Sequence, residues 1–416
     1  MTVAERLGAD RYVAPAALPD YTVTTAHELV TADGAIVNGL LRTVPGATTV
    51  AFLMHPRQDF SHHVLVPELL SGGYAVWTQG TRSMGNDLTL LHEQALIDMA
   101  AGHEFLRNRG FEHIVAVGHS GGATLAAFYI EQAALSAGER LSDTPGGKPI
   151  PLAETTMPVP DALMLMAPHP GQGALMGRVI DPSVVNETDP MAVDTDLDPY
   201  HPANGFNDPP ESSSYAADFV DRYQQAQRRR VARIDEVARD RVAAGTSARR
   251  RFTRAGDVRA RRESLALGVI TVHRTDADLR GVDLSIDPND RRYGSLFGRR
   301  PDLTNYGIVG FGRLTTPEAW LSTWSPISTR ADLLRCAPSV AVPALLVEMT
   351  GDQACFPADA ARFATAFGTD DVEHVRVPGG HFGAAAVKGG TAGSTLCGAE
   401  MTRWLGERFE AGAVSR

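Results

Sequence analysis

Ile114-Val115-Ala116-Val117-Gly118-His119-Ser120-Gly121-Gly122-Ala123 is the stretch on which the reading of this chain turns. Four apolar residues, three of them β-branched, form a short strand of the kind buried on both faces in parallel sheets. The small-residue run from Ala123 to Leu135 reads as a helix. Between them a sharp turn carries one serine with glycine at 118 and 122, a Gly-x-Ser-x-Gly pattern that occurs once in the sequence. A serine hydroxyl is a weak nucleophile unless it is held exposed beside a base, and a strand-to-helix turn holds it so. Glycine on either side lets a strained backbone approach its neighbours without a Cβ clash. Ser120 is therefore the candidate nucleophile; the competing reading is a serine that only caps the next helix.

Working outward, strand and helix alternate. Val23 to Val30, Ile36 to Arg42 and Thr48 to Met54 read as strands, separated by the turn signals Asp33-Gly34 and Pro45-Gly46. A helix at Val64 to Leu70 and a strand at Tyr74 to Gln79 follow. Leu90 to Asn108 then carries its apolar residues on one face. After an apolar strand at Leu163 to Ala167 the rhythm stops, and it resumes with Ala344 to Met349, His374 to Val377 and a closing helix from about Leu396 to Phe409. The pattern predicts an α/β fold with a mostly parallel sheet covered by helices. Its core spans 1–170 and 336–416, and 171–335 is a mainly helical cap inserted between the two parts.

Charge is uneven within the insertion. Residues 181–221 hold ten acids and no Lys or Arg, while 222–262 hold fourteen Arg against four acids. The basic half is expected to contain an amphipathic helix from Tyr215 to Ala244, stopped by Gly245. Two accounts of the arginines are open: a site for a phosphate-bearing acyl carrier, or neutralisation by the acidic half, within the cap or across a homo-oligomer interface formed through it. Neutralisation is preferred, because the two halves balance.

The core resembles the α/β-hydrolase superfamily, whose catalytic residues follow in the order serine, acid, histidine. The resemblance implies His381, in Val377-Pro378-Gly379-Gly380-His381-Phe382 after the last strand, as the base, with His55, His169 and His374 as rivals. It implies Asp352, in Thr350-Gly351-Asp352-Gln353, as the acid, although the family often reads Gly-x-x-Asp there; Glu348 and Asp87 are the fallbacks. An oxyanion hole needs backbone N–H groups aimed at developing charge. Gly121 supplies one. The loop His55-Pro56-Arg57-Gln58 should supply the other, and since proline has no N–H, the donor is Arg57 or, second, Gln58.

His55, His119, Trp320 and Trp324 complete the candidate substrate-binding set. The tryptophans are spaced to share a helical face and roof a pocket, though such stripes are often plain core. His119 adjoins the serine but points away along the turn. Cys355 reads as buried filler. The Arg57 side chain is placed either on a substrate carboxylate or at the surface.

These features imply a serine hydrolase cleaving an ester, thioester or lactone of a small to medium molecule, with acyl transfer and a non-catalytic binding protein as alternatives. No metal or other cofactor is expected: Asp194, Asp196 and Asp198 begin like a calcium loop but lack its glycine and final glutamate. A net charge of −10 argues against nucleic acid and anionic membranes as partners, and no run reaches the roughly 18 apolar residues of a membrane span. Charged residues within Met1 to Pro15 disfavour a signal peptide, and three scattered cysteines suit a reducing compartment, so a cytoplasmic location is expected.

Overall fold

In the computed structural model, which describes residues 16–413, the apolar runs become one eight-stranded sheet. The reading of Met1 to Pro15 lies outside the described residues. The strands are β1 (Val23–Val30), β2 (Ile36–Thr43), β3 (Thr49–Met54), β4 (Ala75–Gln79), β5 (His113–His119), β6 (Ala162–Met166), β7 (Ala344–Met349) and β8 (Val372–Val377). Their order across the sheet is β1-β2-β4-β3-β5-β6-β7-β8, and only β2 runs against the rest. This strand order, with helices on both faces, is the α/β-hydrolase fold.

Every residue of β3, β4, β6 and β7 is buried. Alternation along each strand sorts side chains into two layers, as the two-residue period of a strand requires. Val50, Phe52, Ile114, Ala116, Leu163 and Leu346 face helices α2 (His92–Asn108) and α3 (Gly121–Ala134). Ala51, Leu53, Val115, Val117, Met164 and Val347 face α1 (Val66–Ser71) and the C-terminal helix Gly393–Gly406, through Leu69, Met401 and Trp404. At about 25 cal/mol per Å2 of buried apolar surface, these two layers are the main stabilising term of the core.

Between β6 and β7 the insertion builds its own apolar cluster. Leu175 and Met176 of α4 (Gln172–Val179) pack with Val231, Ile234 and Ala238 of α5 (Ala217–Ala255) and with Trp320 and Trp324. The chain rejoins the core layer by Ala331 and Leu333.

Helix α5 differs from expectation at its far end. It runs eleven residues beyond Ala244, and Gly245 lies inside it. A Cβ there would sit 2.4 Å from Leu267 Cδ2, so this glycine serves packing and not termination. The stop is Gly256, in the left-handed region at φ 65°, whose N–H donates to Phe252 O. Asp257 then caps α6 (Val258–Leu265) by accepting from Arg259 N–H.

Neutralisation of the two charged halves is also narrower than expected. Among the described residues two ion pairs join them: Arg222 with Asp218 at 3.1 Å, and the fully buried Arg230 with Glu187 at 2.7 Å. Arg230 also donates to the carbonyls of Asp181 and His273. The arginines at 228, 229, 233, 249 and 250 stand on the exposed face of α5, where water and salt screen them. Among the described residues no helix is long and apolar enough to cross a membrane.

Candidate active site

β5 ends at His119, and the backbone reverses at Ser120 with φ 57° and ψ −123°, a conformation that a non-glycine residue adopts only where its surroundings hold it there. Both flanking glycines are required by close approach. A Cβ on Gly118 would lie 2.4 Å from Ala123 Cα, and one on Gly122 would lie 2.5 Å from Met54 O. The turn thus presses α3 onto β5 and β3 and lifts the serine at the C-terminal edge of the sheet. Gly121 is the first residue of α3, so its N–H has no carbonyl one turn behind it.

Ser120 Oγ lies 2.9 Å from His381 Nε2. His381 Nδ1 lies 2.8 and 2.9 Å from the two carboxylate oxygens of Asp352. A carboxylate only accepts, so the imidazole proton is on Nδ1 and Nε2 is free to accept from the serine hydroxyl. Asp352 is fully buried, and its Oδ1 also accepts the N–H groups of Ala354 and Cys355. The acid loop and the histidine loop are tied by Gly351 N–H donating to Gly379 O.

A second line of imidazoles underlies the first. His119 Nε2 lies 2.8 Å from His381 O, and a carbonyl only accepts, so His119 donates from Nε2. Its Nδ1 therefore accepts from His63 Nε2 at 2.8 Å. Burial pushes the His63 pKa down to about 3 and holds that of His119 well below the ordinary imidazole range, with His63 and His381 adding to the latter. Both stay neutral, as this donor chain needs.

The remaining expected residues are placed as follows. His119 does not line the cavity at Ser120; it supports the backbone of His381 from beneath. Arg57 N–H, expected to face the oxyanion, donates instead to His55 Nδ1 at 3.0 Å, as does Gln58 N–H at 2.9 Å. The Arg57 guanidinium is neither at the surface nor free for a carboxylate: Nε and Nη2 pair with Asp87 at 2.7 and 2.5 Å, and the group lies over the Trp324 ring. Asp87 is thereby engaged, and Glu348 pairs with His374 and Arg376 on β8. Trp320 and Trp324 sit in a π-helical turn, Trp320–Trp324, and both are fully buried. Trp320 Nε1 donates to Asp235, and Trp324 underlies Arg57, so neither lines the cavity. Cys355 is buried.

A cavity of about 140 Å3 opens at Ser120. Its polar wall is His55, Arg57, Gln58, His169, Gln172 and His381, and its apolar wall is Leu296, Phe297, Phe311 and Phe382. A second cavity of about 210 Å3 shares Leu296, His381 and Phe382 and opens past Arg292 and Arg299. Gln172 and the insertion's aromatics were missed in the sequence. Gln172 follows β6 at the carboxyl edge of the sheet, where ligands of α/β proteins gather, and that was a usable signal. Leu296, Phe297 and Phe311 come from irregular backbone that no periodicity announces.

No protein-family model matches the chain, and no curated protein matches it. Among solved structures, the esterase domain of a Rhodothermus marinus protein is similar over 92% of this chain and 98% of its own, at 11% identity and a TM-score of 0.44. An esterase of Pyrococcus furiosus is similar over 95% of this chain and 97% of its own, at 12% identity and a TM-score of 0.40. The structure of DcsB with a substrate analogue is similar over 92% and 99%, at 13% identity and a TM-score of 0.48.

Proposed function

We propose that the protein is a serine hydrolase that cleaves carboxylic esters of small, uncharged acyl groups through an acyl-enzyme. The observation that supports this best is the line from Ser120 Oγ through His381 to Asp352, at 2.9 and 2.8 Å, on the loops that follow β5, β8 and β7.

In this reading Ser120 Oγ attacks the carbonyl carbon and its proton passes to His381 Nε2. Asp352 stabilises the imidazolium, and His381 returns the proton to the leaving alcohol as the C–O bond breaks. Water then repeats the cycle on the acyl-enzyme and regenerates the serine. Gly121 N–H steadies the oxyanion. The acyl group occupies the inner cavity, and the alcohol departs through the outer one, which also reaches His381. The acyl group is small because the inner cavity is about 140 Å3. It is uncharged because the one guanidinium in the wall is bound to Asp87. Thioesters and lactones would use the same groups.

A fluorophosphonate probe tests the nucleophile: wild-type protein takes up the label and Ser120→Ala does not. An unlabelled wild type, or a variant labelled as fast as wild type, would overturn the assignment.

A further inference from the structure

Helix α5 buries one side, with Phe219, Tyr223, Ile234 and Ala238 upon it, and exposes the other from Asp218 to Arg254. The outer side repeats every eleven residues. Asp221, Ala232, Ala243 and Arg254 recur at that interval, as do Gln225, Glu236 and Ser247, and Arg228, Arg239 and Arg250. Eleven residues fill three turns at about 3.67 residues per turn, close to the ~3.6 of an α-helix, so these residues form one stripe. All of them are exposed.

Charge is sorted along this stripe. It starts with Asp218 and Asp221, passes the alanines at 232 and 243, and ends with Arg250 and Arg254. Asp218 pairs with Arg222, and Arg239 with Asp235, each one turn away. Asp221, Arg228, Glu236, Arg250 and Arg254 have no side-chain partner among the described residues. The helix dipole favours acids at the start and arginines at the end, but only within the first and last turns. It accounts for Asp218 and Arg254 and leaves Asp221, Arg250 and the alanines between them unexplained.

A second copy of the helix accounts for the whole stripe. Two copies laid antiparallel, about a two-fold axis between Val237 and Ala238, set Asp221 opposite Arg254, Gln225 opposite Arg250 and Arg228 opposite Ser247. Ala232 then meets Ala243, where small side chains let the helices come close, and Glu236 meets Arg239. No like charges fall directly opposite, whereas in a parallel pair every charge would face its own copy. A groove of about 550 Å3 lies between the second half of α5 and the loop Pro145-Gly146-Gly147, beside Ala243, Ser247 and Arg250. It leaves room for the first turns of a partner's helix.

We propose that the protein forms a two-fold homodimer through this stripe, with α5 antiparallel to α5 and Asp221 paired to the partner's Arg254. The balance of the two charged halves of the insertion, which two ion pairs join within one chain, is then completed between chains. This pairing does not depend on the role of Ser120.

Sedimentation velocity of the full chain over a dilution series tests it. Wild type is expected to form a dimer that dissociates on dilution and weakens as salt is raised. Asp221→Arg and Arg254→Asp should each raise the dissociation constant about tenfold or more, because the two-fold axis repeats every lost pair. The double variant, which restores opposite charges, should return to within about threefold of wild type. A frayed helix end at 254 would not be rescued by an exchange at 221. Arg262→Asp, on the exposed face of α6, changes the charge as much as Arg254→Asp does and should leave the dimer intact. A wild type that stays monomeric at every concentration overturns the proposal, including one that sediments with anionic vesicles instead. A dimer indifferent to the single variants, or not restored by the double variant, overturns it too. So does equal loosening by Arg262→Asp, which would make net charge and not register the cause.

Discussion

At the scale of single residues, the chemistry around Ser120 depends on which nitrogen of each histidine holds its proton. His381 is set by Asp352, His119 by the His381 carbonyl, and His63 by His119. His119 matters here because it grips the backbone of the candidate base without touching the cavity. Replacing it by Phe removes a buried donor to His381 O and leaves His63 Nε2 without its acceptor, a loss of about 1–3 kcal/mol. His119→Phe is accordingly expected to lower kcat about tenfold while KM changes little, and His119→Gln, whose amide can donate to the same carbonyl, recovers part of the rate. Steady-state kinetics on one ester read this directly; a rise in KM at constant kcat would place His119 in substrate binding instead.

At the scale of elements, close approach decides more than helix propensity does. Gly102 lies inside α2, where alanine would ordinarily be favoured by about 1 kcal/mol. Its face is pressed onto the sheet: a Cβ there would fall 2.1 Å from Gln79 Oε1 and 2.7 Å from Phe52 Cζ. Neither neighbour yields easily. Gln79 accepts from Trp77 Nε1 and donates to Asp98 O, and Phe52 is fully buried. Overpacking of this kind costs roughly 1–3 kcal/mol, so it outweighs the propensity gain. Gly102→Ala should lower the thermal midpoint, and a rise would show that α2 can lift off the sheet at little cost. The same reasoning separates the two glycines near the end of α5: Gly245 and Gly256 are alike as letters, but one faces Leu267 while the other turns the chain into the left-handed region.

At the scale of the whole molecule, the insertion is clamped to the core at the start of α2. Ser322 Oγ accepts from His92 N–H at 3.0 Å and donates to Glu93 Oε2 at 2.6 Å, while Glu93 Oε1 is buried without a partner. Burial raises the Glu93 pKa to about 7, partly offset by the Ser322 hydrogen bond. A carboxyl whose folded pKa lies above its unfolded value binds its proton more tightly when folded. Its contribution is therefore complete below about pH 4.5 and is lost as pH rises through about 7. Glu93→Gln keeps the hydrogen bond and removes the titration. Relative to wild type, the variant should gain thermal stability between pH 5 and pH 8, and parallel midpoints across that range would show that Glu93 ionises without cost. Because His92 also orients Gln172, this clamp connects the seating of the insertion to the polar wall of the cavity.

The alternation of apolar strands and one-sided helices was legible because burial on two faces imposes its period directly on the sequence, as at Ile114 to Val117. The glycines around Ser120, and the candidates His381 and Asp352 in chain order, were legible because a turn this tight and loops placed after core strands constrain residue type locally. Other features required the tertiary structure. Arg57 N–H is absorbed by His55, Asp87 holds the Arg57 guanidinium, the tryptophans at 320 and 324 close a core, and Gln172 meets Gly121. Each is a contact between segments distant in sequence or a choice among competing hydrogen-bond partners. Such choices depend on three-dimensional distance and on which acceptor is nearest, and neither leaves a periodic trace in the chain.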